Sequence, residues 1–204
     1  MDTHAESSAS FLAPAPPTPE GQALYDGDLA GMGFVMNLSR VWAYQPSAQH
    51  GLADLMAQAV EAASLSFRQR GILVTATASA MGDAYCSLAW GQRLAREAGD
   101  EVAATVLRGD DEALDGAERA LARWARQVAR DPNGTTAQDV DDLRAAGFDD
   151  AQVFAITCYV AFRLAFSTIN DAVGTLPDHD LAESVPAPVR DAVTFGRPVG
   201  PPAP

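Results

Sequence analysis

Cys86 stands in the stretch Gly82-Asp83-Ala84-Tyr85-Cys86-Ser87-Leu88-Ala89-Trp90, just after an apolar helical run that ends at a glycine. A thiol reacts only as its thiolate, so its neighbours decide what it can do. A dithiol redox site reads Cys-x-x-Cys, and the position three residues before Cys86 is Asp83. A cysteine near a helix N-terminus gains from the backbone dipole, which favours the thiolate. An ionised Asp83 works the other way, because one negative charge disfavours a second beside it. No histidine or cation is close in sequence, Arg93 being two turns on. Without a resolving thiol, a sulfenic acid at Cys86 needs an external thiol or Cys158 to reduce it. Cys86 therefore reads as a sluggish nucleophile or a small core residue, and Asp83 as a helix cap or a general acid–base group.

Other side chains offer less. Trp42, Tyr44, Trp90, Phe162 and Phe166 are an aromatic set that lines a pocket or fills a core. Arg40 and Arg163 are the polar residues that call for an explanation. An arginine inside an apolar helix needs either an internal carboxylate or an acidic ligand. His4, His50 and His179 are scattered, with no His-x-x-x-His, Glu-x-x-His or cysteine cluster, so neither metal nor cofactor is expected. Asp110-Asp111-Glu112 and Asp139-Val140-Asp141-Asp142 suit solvated helix starts and do not fit a calcium loop.

The elements that must position these groups read as helix throughout, with no alternating strand pattern. A short helix is expected near Gln22–Met32, and Pro46 opens another that ends near Glu61. Ser66-Phe67-Arg68-Gln69 is a capping box for the run ending at Gly82. Asp83 is placed to cap Ala84 to Ala98, which Gly99 ends. Leu114, Ala117, Leu121, Trp124 and Val128 mark an amphipathic helix halted at Asp131-Pro132-Asn133-Gly134. Thr136 and Asp149 cap two more, the second apolar nearly all round and so buried in the domain or in a subunit interface. The expected organisation is a Pro/Ala-rich arm over 1–20, a helical domain over 21–182 and a Pro-rich arm over 183–204. Each arm is either loose or laid across a partner subunit.

Length and charge bound the rest. The 204 residues suffice for one domain with a full core. With 14 basic against 27 acidic side chains, a net charge of -13 disfavours nucleic acid and anionic lipid surfaces as partners. Two cysteines far apart suggest reduced thiols rather than a disulfide framework. No basic-then-apolar leader and no unbroken run of about 18 apolar residues is seen, so a cytoplasmic location without a membrane is expected.

The chain resembles the alkylhydroperoxidase D / carboxymuconolactone decarboxylase family, in its peroxidase-related branch. The resemblance rests on Asn37-Leu38-Ser39-Arg40 with Pro46, Leu65-Ser66-Phe67-Arg68-Gln69-Arg70, Tyr85-Cys86, Asp139 to Phe148, and Ile169 to Gly174 with Pro177-Asp178, in this order. It implies an all-α, alkylhydroperoxidase-like multi-helix bundle that assembles as a homo-oligomer (dimer, trimer or hexamer). It also implies a hydroperoxide-reducing site made of two cysteines, a glutamate and a histidine. Carried onto this chain, only Cys86 matches: Asp83 stands for the first cysteine, Gly71 for the glutamate, and Ala89 or Trp90 for the histidine. The glycine and the bulky indole suggest that Trp90 lies over Gly71 and plugs a lost proton relay.

The expected site is thus Cys86 and Asp83, with Gly71, Trp90, Tyr85, Arg40, Trp42 and Arg163 around a pocket. Three functions follow: a remodelled protein that binds or transforms a small organic molecule, including a decarboxylase-like lyase; a one-cysteine hydroperoxide reductase using Cys86; or a non-catalytic oligomeric binding or assembly protein.

Overall fold

A computed structural model describes residues 9–202. His4 and the first part of the N-terminal arm lie outside the described residues. The described chain runs through helices α1 (Pro19–Met32), α2 (Asn37–Trp42), α3 (Pro46–Ala62), α4 (Phe67–Met81), α5 (Ala84–Ala98) and α6 (Asp100–Arg108). It continues through α7 (Gly116–Arg130), α8 (Ala137–Ala145), α9 (Asp150–Ala172), α10 (His179–Ser184) and α11 (Ala187–Ala192). No strand occurs among the described residues.

Helix α4 is the axis of the bundle, packed by α5, α6, α7 and α9. Its residues Gly71 to Ala78 are all buried, which a helix tolerates only where neighbours cover every face. Ile72, Leu73 and Val74 are within 1% of complete burial, each contributing about 1.5–3 kcal/mol. The hydroxyls this burial traps are partly absorbed by the helix itself, Thr77 donating to the Leu73 carbonyl at 2.7 Å.

The caps sit where the sequence places them. Ser66 and Gln69 form the reciprocal capping box of α4. Asp83, Thr136 and Asp149 cap α5, α8 and α9. Gly82 ends α4 in the left-handed region, so α5 can start one residue later at an angle to it.

Residues 9–18 of the N-terminal arm carry no helix, as expected, whereas the C-terminal arm differs in part. Proline opens a helix as readily as it ends one, and α11 lies within the C-terminal segment. Val189 of α11 is fully buried on α5 and α6. Before α1, the Phe11 N–H donates to the Val173 carbonyl at 2.9 Å and the Leu176 N–H to the Ala9 carbonyl at 3.0 Å. The described parts of both arms therefore close onto their own domain.

Helix α9 is the long apolar helix that the sequence implies. Its 23 residues include an 18-residue stretch with a mean hydropathy of 1.4, by length and composition enough to cross a membrane. It nevertheless packs against α3, α4, α7 and α8. It is not buried all round, since Phe154 is 72% exposed and Ile169 41%.

Candidate functional site around Cys86

Cys86 lies in the first turn of α5, with 3% of its surface exposed. The Asp83 Oδ1 accepts its backbone N–H at 2.9 Å, so the capping carboxylate is buried beside the sulfur. The other oxygen, Oδ2, is buried without a hydrogen-bond partner. Two side chains of α9 face the sulfur. Arg163 donates from Nη2 to Sγ at 3.4 Å, and the Ser167 hydroxyl donates to it at 3.6 Å. Their spacing of four residues puts them on one face of α9.

The electrostatics are a contest that burial wins. Loss of solvent and the charge of Asp83 push the Cys86 thiol up, while Arg163 and Ser167 pull it down. The outcome is a thiol pushed up to about 12, protonated at neutral pH. The sulfur is therefore a weak donor and a poor nucleophile in the resting protein.

Arg163 is 7% exposed and has no carboxylate within ion-pair distance among the described residues. Its guanidinium lies 5.3 Å from the Trp90 ring centre and 5.2 Å from that of Phe166, and Nη1 reaches the Met56 sulfur at 3.7 Å. Aromatic faces and soft sulfurs compensate a buried cation only in part. Sequence reasoning singled out Arg163 but missed Ser167 and Met56. Ser167 had a signal in its four-residue offset from Arg163; Met56 had none.

The remaining expected pocket residues separate into two groups. Trp42 stacks on Phe166 at 5.4 Å and donates its indole N–H to Asn170 Oδ1 at 2.9 Å, so it forms the wall behind Arg163. Tyr85 is buried and donates to the Asp178 carboxylate, whose other oxygen accepts the Asn37 N–H at 2.7 Å. That bond ties α5 to α2 and the start of α10, and burial together with Asp178 pushes the Tyr85 phenol well up. Arg40 is exposed on α2 and is not one of the buried groups.

Trp90 stacks with Phe67 at 6.1 Å, on the helix that also carries Gly71. The atoms that a Cβ on Gly71 would meet first belong to Leu94, at 3.3 Å from Cδ1 and 3.4 Å from Cβ. Gly71 is thus where α4 and α5 approach closely, a packing requirement rather than a pocket feature. A glycine in a sequence does not reveal which neighbour needs the space.

The C-terminal segment covers the site from the other side. A Cβ on Gly196 would come within 2.3 Å of the Gly82 carbonyl oxygen and 2.8 Å of the Ala84 nitrogen. Only glycine lets this strand of backbone lie against the α4–α5 junction. Next to it, Arg197 donates to the Asp171 carbonyl at 2.8 Å, and burial followed by the charge of Asp83 pushes the Asp171 carboxyl up to about 6. Two open surface grooves of about 620 and 570 Å³ lie instead around α7 and α8 and include none of the Cys86 group.

No family model matches the chain, and no match to a curated protein was found. Solved structures do match. An uncharacterized peroxidase-related protein from Silicibacter sp. TM1040 is 20% identical, with 88% of this chain and 96% of that chain covered and a TM-score of 0.73. An uncharacterized peroxidase-related protein from Ralstonia eutropha JMP134, described as an alkylhydroperoxidase AhpD core, is 22% identical over 83% and 95%, with a TM-score of 0.65. The debrominase Bmp8 is 15% identical over 88% and 96%, with a TM-score of 0.70. Bmp8 is also known as an alanine-for-cysteine variant in complex with 2,3,4-tribromopyrrole, which matches with a TM-score of 0.68. At these identities the likeness is one of architecture, and the chain has the all-helical alkylhydroperoxidase-like fold.

Proposed function

We propose that this protein binds a small organic molecule beside Cys86, Asp83 and Arg163 and moves a proton there, rather than reducing peroxides with a dithiol. The observation that carries the reading is the carboxylate of Asp83 where a dithiol partner would stand, buried against a thiol pushed up to about 12. Peroxide cleavage needs a thiolate and then a second thiol to resolve the sulfenic acid. Neither is provided at this position.

What the group provides is a protonated thiol, a carboxylate oxygen with no partner and a guanidinium without a carboxylate, all withdrawn from water. Buried polar atoms left without partners cost about 1–3 kcal/mol each, and they persist where a ligand completes them. Asp83 Oδ2 is placed to take or return a proton, and Arg163 to hold an oxygen that gains charge. Proton transfer, with or without loss of a leaving group, is the reaction class that fits, which includes a decarboxylase-like lyase. The shared fold supports the reading, since the Bmp8 variant forms a complex with a small organic molecule, 2,3,4-tribromopyrrole.

The test pairs two assays. Cumene hydroperoxide with an external thiol should be consumed no faster than by the Cys86→Ser variant. A thermal-shift screen of small planar organic molecules should give ligands whose stabilisation disappears in Arg163→Met and Asp83→Ala. Fast peroxide turnover that Cys86→Ser abolishes would instead establish a one-cysteine reductase. That second reading draws on Arg163 and Ser167, both of which donate to the sulfur.

A further inference from the structure

Trp90 is surrounded by arginines. The guanidinium carbons of Arg70, Arg93 and Arg163 lie 5.8, 5.1 and 5.3 Å from its ring centre, and they come from α4, α5 and α9 respectively. In a chain with 14 basic and 27 acidic residues, a cation is ordinarily met by an acid. Elsewhere it is: Arg68 pairs with Glu118, Arg126 with Asp111, and Arg144 with Asp141 and Asp150. Among the described residues none of the three around Trp90 has a carboxylate within ion-pair distance.

The cluster is also short of acceptors. The Nε atoms of Arg70 and Arg163 are buried with no hydrogen-bond partner, and Arg93 finds only the Ala89 carbonyl of its own helix, at 3.3 Å. Burial first, and the charge of Arg163 second, hold Arg93 below the usual guanidinium range, so the cations repel one another. Like charges held together with unused donors describe a cradle whose counter-charge comes from outside. The arginine-rich groove at Arg119, Arg123 and Arg130 lacks this character, because Asp110, Asp111 and Asp139 line it too.

We infer that Arg70, Arg93 and Arg163 bind a multiply charged oxyanion, a phosphate monoester or a dicarboxylate, carried on a small, flat, apolar body that lies against Trp90 and Phe67. The order of burial orients it. Phe67 is exposed, Trp90, Arg70 and Arg93 are half-buried, and Arg163 and Cys86 are buried. The acid group is held among the three guanidinium groups, by planar forks that grip two oxygens at once, and the flat body extends toward Phe67. Arg163 touches both the indole and the sulfur, so it links this mouth to the proton-transfer group. The inference rests on the reading of a small-molecule site and names the chemical class of its ligand.

Isothermal titration calorimetry tests it with phenyl phosphate, phthalate and the uncharged dimethyl phthalate. At least one of the two anions should bind ten-fold or more tightly than the neutral ester, and which one identifies the acid group. The double variant Arg70→Gln/Arg93→Gln should lose ten-fold or more in that affinity, Arg70→Lys/Arg93→Lys should recover part of it, and Arg144→Gln should change nothing. Thermal melts of each variant verify folding, and the lysine pair keeps the test valid if the glutamine pair unfolds. Binding of the ester as tight as that of the anions, or anion binding indifferent to the glutamine pair, overturns the assignment and leaves the small-molecule reading standing. Absence of binding by all three probes overturns it as well, and the reading of Cys86 and Asp83 is then judged by its own variants.

Discussion

The carboxylate of Asp83 accepts the backbone N–H of Cys86 at 2.9 Å, so one side chain both starts helix α5 and sets the charge beside the thiol. Two roles on one residue can be separated by substitution. Asn caps a helix about as well as Asp but carries no charge. Asp83→Asn should therefore keep the stability of the protein to within a few tenths of a kcal/mol while lowering the pH at which Cys86 reacts with iodoacetamide. Asp83→Ala should lose about 0.5–2 kcal/mol through the missing cap, measured by urea denaturation.

Arg163 is a buried cation without an acid, and such a group is held at a cost in stability. Arg163→Met keeps the bulk of the side chain and removes the charge. The variant should be at least as stable as the parent in thermal and urea melts, while ligand stabilisation disappears and the Cys86 thiol becomes still harder to ionise. A loss of about 3 kcal/mol or more would mean that the guanidinium has a strong partner after all.

Gly71 abuts Leu94 at the α4–α5 seam. Putting the glutamate of a dithiol site there, as Gly71→Glu, should not restore a proton relay. It should force the two helices apart and bury a charge, lowering stability by about 3 kcal/mol or more. Circular dichroism on heating would detect this directly.

Asp171 binds its proton more tightly in the folded chain, at about 6, than an ordinary carboxylate does. A raised carboxyl destabilises the fold as pH climbs from about 4 through about 6, because the charged form is then demanded at a half-buried site. Asp171→Asn should match the parent at pH 4 and exceed it at pH 7. Its partial exposure limits the gain to about 1 kcal/mol.

The caps were legible because their signal is local. Ser66 with Gln69, and Asp83, Thr136 and Asp149, act within a few residues of themselves and sit as the sequence implies. The segments that carry the family resemblance proved to be joints of the fold. Asn37 meets Asp178, Asp178 meets Tyr85, and Asn170 meets Trp42. Helix α6 went unseen because Gly99 ends α5 and starts α6 with no side-chain cap to announce it. Helix α11 was hidden by the prolines that open it. Of the arginine ring around Trp90 only Arg163 was singled out with it, since the ring is assembled from three helices. The role of Leu94 against Gly71 could not be read either, because facing positions in a template do not fix which neighbour comes nearest.

Cys86 must be a thiol, not a thiolate, under working conditions for the proton-transfer reading to hold. Its ionisation can be followed by the thiolate absorbance near 240 nm across a pH series, in a Cys158→Ser background. Cys86 should show no inflection between about pH 6 and 10, since burial pushes its thiol up to about 12. A clear inflection below about pH 8 would contradict it and return the protein to thiolate chemistry.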